Sequence, residues 1–166
     1  NTSLVFETCY LQGCSFNIEG TIYSTFISCA VDGSPNNAYN LKKGPNSNTH
    51  SITFISCGAE NANKSGWNID SGTTLIEIIA PHAGHNNIGK YKNIGALLTL
   101  NNSTPVYDVS NIKISSPSSF NNSNSWDIYI ASPNVGELTL FNVYKKSLPY
   151  GIGYDKKWNT NNLKIY

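Results

Sequence analysis

The chain repeats one short phrase, and this repeat restricts the possible folds more than any other feature. The letters TFISC at 25–29 recur at 53–57, 28 positions later, and a shorter copy, FETC, begins at Phe6. Internal repeats of about 20 to 50 residues are typical of solenoids and propellers. Each unit here is too short to hold the four strands of a propeller blade. The repeat therefore favours a solenoid.

Apolar letters alternate within each unit, as in the pairs Ile52 and Phe54, and Trp67 and Ile69. A period of two predicts β-strands rather than helices. In a parallel β-solenoid each coil lies about 4.8 Å above the previous one, so aligned letters form columns. We therefore expect columns of phenylalanine, cysteine and asparagine, each running through successive coils.

Related strand-like phrases continue towards the end of the chain, as NIKI at 111–114, ELTL at 137–140 and NLKI at 162–165. We therefore predict an all-β fold, a parallel β-helix of about seven coils over residues 1–166. The stretch at 81–100 breaks the period and predicts an irregular insertion with an extra strand, ALLTL. The alternative is a short β-helix at 1–85 followed by a C-terminal β-sandwich-like domain at 86–166.

Composition excludes several function classes. All eleven basic residues are lysines, the net charge is +1, and no arginine occurs. This balance argues against a nucleic-acid partner, which needs clustered cations. The sequence contains no run of 18 apolar residues, so no membrane-spanning helix is predicted.

The four cysteines include no CxxC pair, so we expect no metal site, and we expect no cofactor. Cys9, Cys29 and Cys57 share one place in the repeat. They are predicted to be stacked, buried thiols, with disulfides as the alternative.

The run TFISCGAENANKSGWNID, with its copy upstream, resembles coils of the pectate-lyase-like right-handed parallel β-helix family, and especially phage tailspikes and tail fibres. The resemblance covers about residues 6–72. It implies a homotrimer in the virion tail, an extracellular location, and capsular or O-antigen polysaccharide as the partner. The opening NTSLVFETCY has the character of a strand, so we expect a piece of a longer protein. Lyases of the family often use Arg or Lys near a metal or base, and this chain lacks Arg.

Three candidate catalytic residues follow from the columns. Asp32 and Glu60 share the column that begins at Gln12. Carboxyl groups on adjacent coils would be separated by about the distance that glycosidases use for their acid and base or nucleophile. A solvated turn position is the simpler interpretation. Lys42 is a further candidate as a lyase base, although Glu19, Lys42 and Asp70 also predict a surface ladder of alternating charge.

Candidate glycan-binding residues are Tyr39, Trp67, Asp70 and Trp126, because sugars stack on aromatic faces and hydrogen-bond to carboxylates. Alternation also predicts that the column of Phe16, Tyr39 and Trp67 packs in the core. The favoured function is a mainly structural, trimerising or glycan-binding piece of a tailspike or fibre. The alternatives are a polysaccharide depolymerase, acting as glycosidase or lyase, and a bacterial surface adhesin.

Overall fold

The structure is a computed structural model that describes residues 2–120, 122 and 126–166, and its strands form three parallel sheets. Strands are numbered β1 to β18 in chain order. Sheet A contains, in spatial order, β1 (Val5–Glu7), β4 (Ile22–Ile27), β7 (Thr49–Ile55), β10 (Thr73–Ile79), β13 (Val109–Ser115), β16 (Leu138–Phe141) and β18 (Leu163–Ile165).

The other two sheets follow the same spatial progression. Sheet B contains β2 (Tyr10–Gln12), β5 (Ala30–Asp32), β8 (Gly58–Glu60), β11 (His82–Gly84) and β14 (Ser118–Phe120). Sheet C contains β3 (Phe16–Glu19), β6 (Tyr39–Lys42), β9 (Trp67–Ile69), β12 (Gly95–Leu100), β15 (Trp126–Ile130) and β17 (Ile152–Tyr154). From β1 to β15 the chain visits A, B and C in turn, which is the arrangement of a parallel β-helix, and the last three strands then alternate between sheets A and C.

The register aligns like residues, as the repeat predicts. Phe6 pairs with Phe26 and Phe26 with Phe54 along sheet A, and their rings stack with centroids 4.7 and 4.8 Å apart. The later phrases at 111–114, 137–140 and 162–165 contribute to the same sheet. Stacked aromatic pairs add about 0.5–1.5 kcal/mol each beyond the burial of their area.

The core lies between the three sheets. Its largest fully buried side chains in the described part of the chain are Trp67, Tyr39, Phe26 and Phe54. Cys29 and Cys57 are also buried, and all four cysteines are free thiols. The predicted column of buried thiols is therefore correct for these two cysteines, while Cys9 is half-buried.

Single left-handed residues produce the sharp corner between sheets A and B. Ser28 and Ser56 both have φ near +50°, and each directly follows its sheet A strand. Short polar side chains tolerate this backbone better than β-branched ones do. The equivalent corner in the next coil is formed by Ala80, which also has positive φ, so the turn geometry is repeated although the residue type differs.

The three sheets continue through the stretch that breaks the repeat. The letters ALLTL, expected as an extra strand, belong to β12, which pairs with β9 and β15 as the sheet C strand of its coil. The segment 85–94 between β11 and β12 lies outside the strands. No helix in the described ranges has the length and apolar character needed to cross a bilayer.

Candidate functional site

A groove on the outer face of sheet B brings together the two predicted carboxylates. Gln12, Asp32, Glu60 and Gly84 are aligned across β2, β5, β8 and β11. Both carboxyl side chains are half-buried and line a cavity of about 360 Å³. The repeat predicted that Asp32 and Glu60 lie on neighbouring coils, and the register confirms that position.

A second column shapes the groove. Tyr10, Ala30, Gly58 and His82 follow one another in register across the same four strands. The two large side chains stand at the ends, and the two smallest lie between them. A groove forms because nothing projects from the middle of this column. We call it the Tyr10–His82 groove.

Each carboxylate has neighbours of its own. The Tyr10 hydroxyl donates to Asp32 Oδ2 at 3.2 Å, and Asn61 Nδ2 donates to Asp32 Oδ1 at 2.8 Å. Glu60 Oε1 lies 3.3 Å from His82 Nε2, whereas Glu60 Oε2 has no partner in the described part of the chain. Asp32 is thus held at both oxygens and Glu60 at one.

The walls of the groove are also supported. Desolvation, and then the Asp32 carboxylate that accepts its hydrogen bond, raise the pKa of Tyr10. At the other end, the His82 ring lies 4.7 Å from the ring of Phe120, centroid to centroid. Phe120 also contacts His85, so both histidines of β11 and its following turn pack on one aromatic ring. No group of three or more metal-ligating side chains occurs among the described residues.

The predicted base, Lys42, lies away from this groove. Its ammonium forms an ion pair with Glu19 at 2.9 Å on the outer face of sheet C. The predicted charge ladder stops at this pair, because the Asp70 carboxylate accepts hydrogen bonds from two serines and forms no ion pair with Lys42 in the described structure. Lys42 and Asp70 instead border a separate depression of about 230 Å³ beside Lys43 and Tyr107.

Asp70 accepts four hydrogen bonds from two serines. The backbone and hydroxyl groups of Ser71 donate to Oδ1 at 2.7 and 3.0 Å, and the backbone and hydroxyl groups of Ser103 donate at 2.8 and 2.9 Å. Burial alone would raise the pKa of Asp70, but these donors outweigh it and the pKa is lowered. Asp70 therefore stabilises a turn.

The four predicted glycan-binding residues do not form one surface. Tyr39 and Trp67 are completely buried, and their rings stack on each other at 4.8 Å. Their faces are covered by core neighbours, so neither can stack on a sugar in this fold. Trp126 is 42% exposed, but it belongs to sheet C. Its ring lies against Gly153 of the neighbouring strand, away from the Tyr10–His82 groove.

Sequence reasoning missed the two walls of the groove, Tyr10 and His82. The first three copies of the repeat place Tyr10, Ala30 and Gly58 directly after a cysteine, a series that goes from large to small. Comparing side-chain size along this column would have indicated an opening. The far wall carries no such signal, because Pro81 replaces cysteine before His82.

No protein-family model, no curated protein and no solved structure matches this chain.

Proposed function

We propose that this protein binds bacterial surface polysaccharide through the Tyr10–His82 groove. The observation that carries the proposal is the groove's construction: ring systems at both ends, a floor of Ala30 and Gly58, and two carboxylates along one side. Binding sites are typically concave, with apolar surface and a few placed polar groups. Carboxylate oxygens accept hydrogen bonds from sugar hydroxyls.

The length of the groove suits a short oligosaccharide. Three strand steps separate Tyr10 from His82, which corresponds to roughly 14 Å along the axis. A glycan lying parallel to this axis would pass over the floor and place its hydroxyls beside Asp32 and Glu60. Tyr10 is 62% exposed, so much of its ring remains available for stacking.

Filling the floor tests the proposal without removing any polar group. A Cβ at Gly58 would meet only the Ala30 Cβ at 3.7 Å, an ordinary contact, so Gly58→Phe projects into the groove with little strain. The matched control is Ser118→Phe, one strand beyond His82 in the same column. Both variants are titrated against purified capsular and O-antigen polysaccharides from a panel of bacterial strains by affinity electrophoresis.

Retardation of the wild type and Ser118→Phe, with its loss in Gly58→Phe, is the expected result. Unchanged retardation of Gly58→Phe would place binding elsewhere. Failure of every polysaccharide to retard the wild type would refute the proposal for the strains in the panel.

Hydrolysis of the bound glycan is a second candidate, favoured by the in-register position of Asp32 and Glu60. Glu60 keeps one oxygen without a partner in the described ranges, so it is the better placed to donate a proton to a leaving group. Asp32 is held by Tyr10 and Asn61 and would serve as base or nucleophile. Mass spectrometry of the polysaccharide after incubation should show shortened products, which Asp32→Asn and Glu60→Gln should abolish.

The setting of this activity is also a proposal. The sequence resemblance supports a piece of a right-handed β-helical tailspike or tail fibre, present in the virion as a homotrimer. A mass of three chains in light scattering after size exclusion is the expected result. One chain of 18.1 kDa at micromolar concentration would contradict the trimer, without bearing on the groove.

A further inference from the structure

A second concave surface lies on the outer face of sheet C, around the corner from the Tyr10–His82 groove. It has a volume of about 290 Å³, and its polar lining includes Asn37, Lys64, Asn68, Asn93 and Asn101. We call it the amide cleft. No acidic side chain lines it, so its chemistry differs from that of the groove.

Protein hydrogen bonds fix the orientation of two of these amides. The backbone N–H of Ser65 donates to Asn37 Oδ1 at 3.1 Å, and the backbone N–H of Asn102 donates to Asn101 Oδ1 at 2.9 Å. In both side chains the carbonyl end is therefore occupied, and the Nδ2 donors have no acceptor in the described part of the chain. Each side chain offers N–H groups to a ligand.

In Asn68 the arrangement is reversed, because its donor end is occupied and its carbonyl oxygen is left available. Its Nδ2 donates to Asn40 Oδ1 at 2.8 Å, and Asn40 Nδ2 donates in turn to Asn17 Oδ1 at 3.4 Å. These bonds form the asparagine ladder that the repeat predicted. The next residue of the column is Thr99, which bonds to Ser65 instead. Asn68 Oδ1 ends the ladder as an acceptor with no donor among the described residues.

The three amides lie on successive levels of sheet C. Asn37 precedes β6, Asn68 lies in β9 and Asn101 follows β12. Strand steps of about 4.8 Å separate the three levels along the axis. The register also displaces the amides along the strands, because Asn37 lies three residues before Asn40, and Asn101 lies two residues after Thr99, the two residues that pair with Asn68. The donors of Asn37, the acceptor of Asn68 and the donors of Asn101 therefore form a diagonal row across sheet C. The pattern is preorganised, because hydrogen bonds within the protein already determine which end of each amide faces outward.

We propose that the amide cleft binds a neutral oligosaccharide, whose hydroxyls accept from Asn37 and Asn101 and donate to Asn68. A hydroxyl can donate and accept, so a polyhydroxylated ligand satisfies both polarities. Lys64 is the single charged residue of the lining, with its ammonium 5.7 Å from the Tyr91 ring. One cation is too few for a nucleic-acid backbone. This site is independent of the Tyr10–His82 groove.

The test uses replacements that remove donors and keep the protein's own hydrogen bonds. Asn37→Asp and Asn101→Asp retain the oxygen that accepts from the backbone, but they lose the N–H groups. Asn46→Asp is the matched control, since Asn46 is exposed and lies outside the cleft. The probes are maltohexaose, cellohexaose and mannohexaose, with hexagalacturonate as the anionic comparison. The readout is the asparagine side-chain amide signals of the ¹⁵N-labelled full chain.

At least one neutral probe should shift the Asn37, Asn68 and Asn101 signals. Its Kd should weaken about tenfold in each cleft variant, the loss of one hydrogen bond, and remain unchanged in Asn46→Asp. Gly58→Phe should leave this binding intact, which separates the cleft from the groove. Wild-type affinity in both cleft variants would overturn the proposal. So would shifts caused by hexagalacturonate alone, or no shift with any neutral probe.

Discussion

The hydroxyl of Tyr39 lies 3.2 Å from the carbonyl oxygen of Gly58 and joins the core to the floor of the Tyr10–His82 groove. The same hydroxyl lies 2.9 Å from the carbonyl oxygen of Cys29, so one donor is shared between two acceptors. Tyr39 belongs to sheet C, and these carbonyls belong to the strands and corners of sheet B. A buried phenol thus fixes the position of the surface on which a ligand would lie.

Removal of this hydroxyl should weaken the fold modestly. Tyr39→Phe keeps the stacked ring but leaves two buried carbonyls without this donor, so the free energy of unfolding should fall by about 0.5–1.5 kcal/mol. Tyr23→Phe is the control, because Tyr23 is 63% exposed and its hydroxyl has no hydrogen-bond partner among the described residues, while its ring contacts His50. Urea unfolding measures both variants, and an equal effect of the two would contradict the role assigned to the Tyr39 hydroxyl.

Asp127 should respond very differently to two substitutions. It is fully buried, accepts from the Ser119 hydroxyl, and holds the backbone N–H groups of Tyr150 and Gly151 at 2.6 and 2.8 Å. Asp127→Ala leaves the Ser119 hydroxyl hydrogen and the Tyr150 N–H without an acceptor among the described residues, while the Gly151 N–H keeps the Leu148 carbonyl oxygen at 3.2 Å. The free energy of unfolding should therefore fall by about 2–4 kcal/mol. Asp127→Asn keeps one oxygen for the N–H groups and should remain within about 1 kcal/mol of the wild type.

The pH dependence of the Asp127 variants has a definite sign. Burial raises the pKa of Asp127 from its ordinary 3.8, although its three donors act in the opposite direction. A raised carboxyl pKa in the folded state means that ionisation weakens the fold, so wild-type stability should fall relative to Asp127→Asn as pH rises from 3 through the folded pKa. Thermal unfolding between pH 3 and 7 checks this, and a trend in the opposite direction would refute it.

Asp70 should show the reverse dependence. Its pKa is lowered below the ordinary 3.8, because the donors of Ser71 and Ser103 outweigh the effect of burial. Its contribution is therefore complete above pH 3.8 and disappears as pH falls through the folded pKa. Asp70→Asn should lower the Tm at pH 7, and its difference from the wild type should narrow below about pH 4. A constant difference from pH 7 to pH 2 would show that the carboxylate charge is not involved.

The repeat was sufficient to predict register within the first three coils. Matching letters in the copies place Phe26 on Phe54 and Asp32 beside Glu60, because a parallel ladder allows only one in-register alignment of identical phrases. Alternation along each strand also predicted that the ring column containing Tyr39 lies in the core. These features depend on the matching letters of the repeat and on the alternation within each strand.

The repeat could not predict contacts made by residues in or after the stretch that interrupts it. Asp70 was expected to continue a ladder with Lys42, but its partner Ser103 lies 33 residues later, after the stretch that breaks the repeat. The amide cleft depends on the same stretch, since Asn93 and Asn101 flank β12. A side chain's partner can be predicted from the sequence only where neighbouring coils carry the same phrase, because the matching letters then show which residues align.

Thiol reactivity should separate the four cysteines by their place in the column. Burial raises the pKa of Cys57 to about 11 and also raises that of Cys29, so at pH 8 both are protonated as well as covered. Since the thiolate is the reactive form, iodoacetamide should label exposed Cys14 first and half-buried Cys9 more slowly. Peptide mass spectrometry should find Cys29 and Cys57 unmodified until urea unfolds the chain.

Labelling of Cys57 at the same rate as Cys14 in the native protein would contradict a closed core around Cys57. We also expect Cys57→Ala to be less stable than the wild type and to show the same labelling of Cys14. This result would show that the Cys57 side chain contributes to stability by filling space in the core.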